Sequence, residues 1–394
     1  MKPKILIIAV FFIAAIAIVM LSRSGKKSDE APKPTTDTTT KTPKQTDTTE
    51  ITVVYSTEKK DWIETLTQDF AKQHPEIRVN LVGKGSIEAA QAILDGQLTP
   101  TVWSPADEMV MNLLVSDWQT KNHADIVAKN GPDAPQPLLL TPLVFVAWED
   151  RANALLKASG GVITWKAINK AVTSPQGWLA VGGQGRWGFV KLGHTDPTKS
   201  NSGLEALYLM SLEYFGKPKL QVEDLLDQKY QEFVRGTEKG VTKFESSTGI
   251  FMTDMVRFGP SKYDIAIVYE NLAISELANA EGRWGKLKVY YPSTTIWSDH
   301  PMALMQGSWV TPAQQKAGRD YIAFLRSKPA QQRALEFGFR PADTSVPVVT
   351  DDAQNPFTRL APSGITVDVP PAAEPPDGPV VRNLMMMWTR VVQQ

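Results

Sequence analysis

The chain has 394 residues, 42% hydrophobic and 21% charged, enough to bury the cores of about two domains. Its 42 basic and 42 acidic residues cancel, which excludes a polyanion binder working through bulk charge and a strongly acidic disordered chain. There is no cysteine, so disulfides, thiol catalysis, thiolate-ligated zinc, iron–sulfur clusters and a lipidated N-terminal Cys are excluded.

Lys2 and Lys4 precede an unbroken apolar run, Ile5 to Leu21, and Arg23, Lys26 and Lys27 follow it. That length is at the lower limit of a bilayer span. Val19-Met20-Leu21 is too bulky for a small-x-small cleavage site, so residues 1–27 read as an uncleaved signal anchor, a transmembrane helix with the bulk of the chain extracytoplasmic. A cleaved signal remains the alternative, and basic residues on both sides leave the orientation open. Residues 28–50 are Thr, Pro, Lys and Asp with no large apolar side chain, a disordered tether. Without residues 1–50, which carry eight basic and five acidic residues, 34 basic residues face 37 acidic ones.

Ile51–Tyr55 (ITVVY) is a β-branched run and predicts a strand buried on both faces. Ser56-Thr57 then opens a helix with Trp62, Leu66 and Phe70 on one stripe. Residues 77–82 (IRVNLV) alternate as a second strand. After the turn Gly83–Gly85, Ser86 is placed to N-cap a helix whose apolar face is Ile87, Ala90, Ile93 and Leu94, ended by Gly96. Thr101–Trp103 is a third strand, and Ser104-Pro105 starts the next helix. Alternating strands and helices of this kind predict parallel strands, an α/β fold. In open parallel sheets ligands bind beyond the carboxyl ends of the strands. Here those ends supply Ser56, Thr57, Gly85, Ser86, Trp103 and Ser104, with free backbone N–H groups at helix starts. Any one hydroxyl is explained by capping alone; three groups at consecutive strand ends point to a polar pocket.

Residues 138–148 (LLLTPLVFVAW) form an apolar strand region, followed by Gly-rich turns to Gly193. Helices are expected at 204–212 and 222–233, and strands at 263–269 and 288–291. The segment 303–310 returns to the pattern of the first domain. The organisation expected is a first lobe of residues 51–147 and 291–345, with a second lobe, 148–290, inserted into it; two crossings make a hinge. Thr198, Ser200, Asn201 and Ser202 precede a helix bearing Leu204, Leu207, Tyr208 and Leu212, and offer N–H groups and side-chain oxygens to a ligand. A Ser-rich cap accounts for them equally. Strand alternation points Glu270 away from Tyr269. Most of the eleven Trp are expected in packing roles.

Other motifs are weak. Gly183–Gly188 fits GxGxxG, but no helical stripe follows, so it reads as a turn. His74, His123, His194 and His300 are scattered, HExxH and GxSxG are absent, and no metal or cofactor is expected. His194, a lone loop histidine, is expected at the surface. Residues 346–394 form an extension: Pro370-Pro371 and Pro375-Pro376, then a stripe Val380, Leu384, Trp388 and Val392 that predicts an amphipathic helix. It either packs back across the hinge or docks a partner.

Three stretches resemble type II extracytoplasmic solute-binding proteins, in the branch near the molybdate and sulfate binders. They are Gly85–Asp107 (GSIEAAQAILDGQLTPTVWSPAD), Tyr263–Ala273 (YDIAIVYENLA) and Ala317–Asp343 (AGRDYIAFLRSKPAQQRALEFGFRPAD). Ser104-Pro105-Ala106 stands where Ser-Ala is usual, and Glu270 beside Tyr269 is a departure from an anion site that Lys84 could offset. The resemblance implies two Rossmann-like lobes closing on a ligand, the type II periplasmic-binding-protein fold. Ser56, Thr57, Gly85, Ser86 and Ser104 would face Tyr269 and the segment GHTDPTKSNSGL from Gly193. It further implies a monomeric, non-catalytic protein that captures a small polar solute, an oxyanion or sugar-like molecule, for an ABC permease. Some relatives continue into a von Willebrand A module, so an adhesion or sensing module on the same scaffold is the rival reading. The membrane would be met through the N-terminal helix, and no nucleic acid is expected.

Overall fold

The computed structural model describes residues 48–393, which fall in one compact unit, 47–394. The expected anchor and most of the tether lie outside the described residues. Among the described residues no helix is long and apolar enough to cross a membrane.

The first half runs β1 (Thr49–Tyr55), α1 (Lys60–Gln73), β2 (Ile77–Gly83), α2 (Ser86–Leu94), β3 (Val102–Ser104), α3 (Glu108–Asn122) and β4 (Leu139–Trp148). Then come α4 (Glu149–Ala158), α5 (Trp165–Thr173), β5 (Leu192–Gly193), α6 (Asn201–Phe215), α7 (Gln228–Glu238), α8 (Thr248–Phe258), β6 (Ile265–Tyr269), α9 (Glu270–Ala280) and β7 (Leu287–Tyr290). The chain closes with β8 (Trp297–Ser298), β9 (Ala303–Leu304), α10 (Pro312–Leu325), α11 (Lys328–Ala334), β10 (Arg340–Pro341), α12 (Pro356–Arg359) and α13 (Gly378–Val392).

Two sheets result. The first has the order β2-β1-β3-β9. β1 pairs parallel with β2 over its full length, Thr49 opposite Ile77 and Tyr55 opposite Gly83, and parallel with β3. β9 returns antiparallel on β3, so 303–304 do rejoin the first sheet. The second sheet has the order β10-β4-β6-β5, with β7 and β8 also on β4. The 138–148 strand, expected in the first lobe, pairs antiparallel with β6 from Leu143 to Ala147 and with β7 from Phe145 to Trp148. The chain therefore joins the second sheet near Leu139 rather than near Trp148. Apolarity marks 138–148 as buried, but only pairing decides which sheet takes it.

The stripe Trp62, Leu66 and Phe70 is buried as its spacing requires, together with Ile63. Phe70 meets Tyr321 and Phe324 of α10 edge-on at 5.1 and 5.3 Å. A second apolar group covers α8 and α9 beside the second sheet, and a third runs continuously from Trp103 through Phe145 and Tyr208 to Trp388. Six tryptophans, Trp62, Trp103, Trp148, Trp165, Trp178 and Trp388, are fully buried. The turn Gly183–Gly188 wraps Trp178, whose indole N–H donates to Asp264 at 3.2 Å, and serves packing.

The extension folds back. In α13 the side chains of Val380, Val381, Leu384, Met387, Trp388 and Val391 are buried; Val391, rather than the expected Val392, completes the inner face. The helix lies against α3 and α7 at once. A Cβ on Gly378 would come within 2.9 Å of the Asn112 carbonyl, and Arg382 pairs with Asp117. On the other side, Arg235 donates to the Val391 carbonyl at 3.1 Å, and Trp388 donates to Glu238 at 2.9 Å.

Candidate functional site

The ends of β1 and β3 come together as expected: Ser56 N–H donates to the Ser104 carbonyl at 3.0 Å. What fills the space between them is Lys59, fully buried. Its Nζ donates to Ser56 Oγ at 2.7 Å and to the Ser104 and Pro105 carbonyls at 2.9 and 3.1 Å. Burial pulls its pKa down to about 7, against the pull of Glu58 and Asp299. Three accepting oxygens call for three N–H donors, which only the ammonium form has. Ser56 and Ser104 are thus spent on holding Lys59 and the strand ends; Ser104 Oγ also donates to the His300 carbonyl at 3.3 Å. Thr57 is exposed in a short 3-10 turn, Thr57–Lys59, that precedes α1.

Ser86 is not a cap. Gly85 occupies the N-cap position of α2, and Ser86 Oγ accepts from Ala106 N–H at 2.9 Å, tying α2 to the segment after β3. A Cβ on Gly85 would lie 3.5 Å from the Lys199 carbonyl, so α2 starts against the loop before α6. The helix expected from Ser104-Pro105 begins later, at Glu108. Asp107 is its cap, accepting from Val110 N–H at 3.0 Å. Trp103 is in the core, and its Nε1 has no hydrogen-bond partner among the described residues.

Of the group before α6, Asn201 alone reaches toward Tyr269. Its Nδ2 donates to the Tyr269 hydroxyl at 3.0 Å and to Glu205 Oε1 at 3.0 Å. Ser202 Oγ is within 2.9 Å of Thr195 Oγ1 and 2.6 Å of Thr248 Oγ1. Ser200 Oγ lies 3.4 Å from Thr248 Oγ1, and Thr198 is bound to Asp196 through N–H and Oγ1. These three stabilise the loop itself.

Four carboxyl groups, Glu58, Asp107, Glu205 and Asp299, complete the junction, and sequence reasoning missed all of them. Asp107, Glu205 and Tyr269 are at most 1% exposed, and Glu58 is half-buried. Burial, then the charge of Asp107 and a hydrogen bond to it, holds the Glu205 carboxyl well above the usual carboxylate range. Burial likewise raises Asp107, with the bond to Glu205 opposing. The Tyr269 hydroxyl is raised by burial and by Glu205, Glu58 and Asp107 in turn. Asp299 accepts from Glu108 N–H at 3.0 Å and is raised to about 7 by burial, then by Asp107 and Glu108. A signal existed for two of these. Asp107 stands three residues before Val110 where a cap belongs, and Glu205 sits among Leu204, Ala206 and Leu207 in an apolar helix turn.

Glu270 lies away from this junction, as expected, but for another reason. It is the first residue of α9, fully buried, and bidentate with Arg340 at 2.7 and 2.8 Å. Lys84, the suggested counter-charge, pairs with Glu88. Glu58 also lines a cavity of about 360 Å³ with Asn271, Ser275, Phe337 and Phe339. A larger one, about 610 Å³, lies between α6 and Pro371–Glu374 and holds none of the expected contacts. Among the described residues no group of three His, Cys, Asp or Glu side chains is arranged to hold a metal ion.

His194 is fully buried, contrary to the expectation of a surface residue. Its Nε2 is 2.6 Å from Glu238 Oε2 and its Nδ1 2.8 Å from the Thr195 carbonyl, a pattern satisfied by two N–H donors. Burial opposes protonation, but Glu238 and the carbonyl outweigh it, and the pKa is raised. The stabilisation this confers is complete below the unfolded-state value near 6.5 and is lost as pH rises through the folded value. The stability gap between the parent and His194→Gln should therefore be widest at acid pH and shrink on titration to pH 8. Urea unfolding across that range checks it; a gap that widens with pH would remove the imidazolium.

Residues 51–340 match the family described as bacterial extracellular solute-binding protein, and the chain belongs to that family. Solved structures agree in fold. The sulfate-binding protein SubI from Mycobacterium tuberculosis H37Rv is 17% identical with a TM-score of 0.53, covering 82% of this chain and 93% of its own. The periplasmic binding protein AfuA from Actinobacillus pleuropneumoniae, with fructose-6-phosphate bound, is 12% identical with a TM-score of 0.57, covering 87% and 99%. The Trichodesmium protein IdiA (FutA), in complex with iron and citrate, is 13% identical with a TM-score of 0.54, covering 87% and 99%. No curated protein sequence matches the chain.

Proposed function

We propose that this protein captures a small polar solute between two lobes outside the cytoplasm and delivers it to an ABC permease, without catalysing a reaction. The observation that carries this is the junction itself. Asp107, from the segment after β3, meets Asn201 and Glu205 of α6 and Tyr269 at the end of β6, all buried and polar. Beyond the cap on α3 and the bonds from Asn201 to Glu205 and Tyr269, one buried oxygen each of Asp107, Asn201 and Glu205 meets no donor among the described residues, a cost that a purely structural core does not need. The lobes in this reading are built on the two sheets, with the hinge at Leu139–Thr141 and Ser298–Met302. The rival reading, an interaction module docking through α13, loses its surface, because the apolar face of that helix is buried.

A thermal-shift screen of oxyanions, sugars, amino acids and amines tests the proposal. A solute at 100 times its dissociation constant adds about 2.7 kcal/mol of stability. Bound solute should also reduce the radius of gyration in solution scattering. No stabilising solute, with unchanged scattering, would discard the capture reading. Within the site, Tyr269→Phe removes the hydroxyl that Asn201 reaches and should weaken the solute found by the screen about tenfold. Ser202→Ala, by contrast, should cost about 1–2 kcal/mol of stability and leave the ligand-induced shift intact, since its hydroxyl is bound to Thr195 and Thr248. Equal binding by Tyr269→Phe and the parent would move the site elsewhere.

A further inference from the structure

We infer that the solute is an organic cation, a protonated amine or guanidinium, whose N–H groups are received by Glu58 Oε2, Asp107 Oδ2, Asn201 Oδ1 and Glu205 Oε2. This rests on the capture reading above and names its substrate class. Those four oxygens are buried and have no hydrogen-bond partner among the described residues. Three belong to side chains at most 2% exposed. Each such acceptor costs free energy unless a donor meets it, and with no solute bound Asp107 and Glu205 meet only each other, through a proton held between them. Both amide hydrogens of Asn201 go to Glu205 and Tyr269. All three ammonium hydrogens of Lys59 go to Ser56, Ser104 and Pro105. Ser298 Oγ donates to the Ala106 carbonyl at 2.7 Å. The donors left over in this region are the Tyr269 O–H, whose oxygen accepts from Asn201, the Trp103 Nε1–H and one ring nitrogen of His300.

Charge points the same way. Glu58, Asp107, Glu205 and Asp299 bring four carboxyl groups to the junction, against Lys59 alone. His300, held far below its ordinary pKa by burial and by Lys59, is neutral. An oxyanion would enter against this field, whereas an ammonium or guanidinium enters with it. Of the helix starts around the junction, α3 begins on the Asp107 carboxylate and α9 on Glu270, while those of α2 and α6 carry no side-chain cap.

Burial and mutual repulsion favour one proton shared by Asp107 and Glu205 while the cleft holds no cation. A cation arriving between them takes over the role of that proton. The bound state then holds the ammonium and two carboxylates, and the proton leaves to solvent. Affinity should therefore rise with pH, up to tenfold per unit while the pair titrates.

The test is calorimetry and thermal shift on the full chain with putrescine, spermidine, agmatine and arginine, beside sulfate, phosphate and glucose, at pH 6 and pH 8. Amines should raise the melting temperature and bind with net proton release, read from buffers of different ionisation heat. Glu205→Gln should weaken the best amine by at least tenfold while melting no earlier without ligand. Should that variant fold poorly, Asp107→Asn, which keeps the cap oxygen, is the second probe with the same expected loss. Stabilisation by sulfate, phosphate or glucose but not by amines would overturn the cation assignment and leave solute capture standing. Failure of every compound at millimolar concentration would count against capture and this inference together. Amine binding without a pH dependence would overturn the proton exchange.

Discussion

Replacing Arg340 with alanine is expected to destabilise the protein by about 3–5 kcal/mol, because it strands a carboxylate in the interior. Arg340 is 4% exposed and Glu270 is fully buried, and their bidentate pair is joined by the Tyr291 hydroxyl on Glu270 and by the Val367 carbonyl, 2.9 Å from Arg340 Nη1. The pair ties the start of α9, which follows β6, to β10, the edge strand of the same sheet. Replacing both partners, Glu270→Gln with Arg340→Met, should recover much of the loss, since the cost lies in the unpaired charge rather than in the absence of the bridge. Urea unfolding of the two singles and the double decides. A loss below about 1 kcal/mol for Arg340→Ala would mean that water reaches Glu270.

Trp388→Ala should be comparably severe, about 3–5 kcal/mol, through the cavity left under α13. The indole is fully buried, meets Phe244 edge-on at 5.0 Å and donates to Glu238 Oε1. Its loss leaves an acceptor of the Glu238–His194 pair unmet, which adds to the deficit. Trp388→Phe keeps much of the volume and should cost markedly less. Thermal and urea unfolding of both variants measure the difference. Near-equal stability of Trp388→Ala and the parent would show that the helix is not held by its inner face.

The elements were legible where a local pattern suffices. ITVVY at Ile51–Tyr55, the stripe Trp62–Leu66–Phe70 and the stripe in α13 carry their burial in their spacing, and the structure places them so. The strand at 138–148 was seen as a strand but assigned to the wrong sheet, because its partners lie more than a hundred residues downstream in β6 and β7. The site was legible only in part. Asn201 and Tyr269, named from helix-start and strand-end positions, are bonded to each other. Lys59 and Glu58 look like ordinary charges at the start of a helix, and what buries them is the far side of the fold. Ser86, Ser200 and Ser202 were overvalued for the converse reason. A hydroxyl at a helix start has many available acceptors and donors, and here Ala106, Thr195 and Thr248 supply them.

The position of α13 bears on how tightly a solute is held. In the capture cycle proposed above, a helix that grips α3 and α7 together would lower the free energy of the closed arrangement whether or not the cleft is filled. The fraction of empty molecules already closed enters the apparent dissociation constant directly. Each 1.4 kcal/mol that the strap adds to closure thus tightens apparent affinity up to tenfold, until the closed form predominates. The same free energy must be supplied again when the cargo is handed over. On that reading the C-terminal segment would trade speed of release for thrift at low solute concentration, and shortening it would tilt the protein toward faster release.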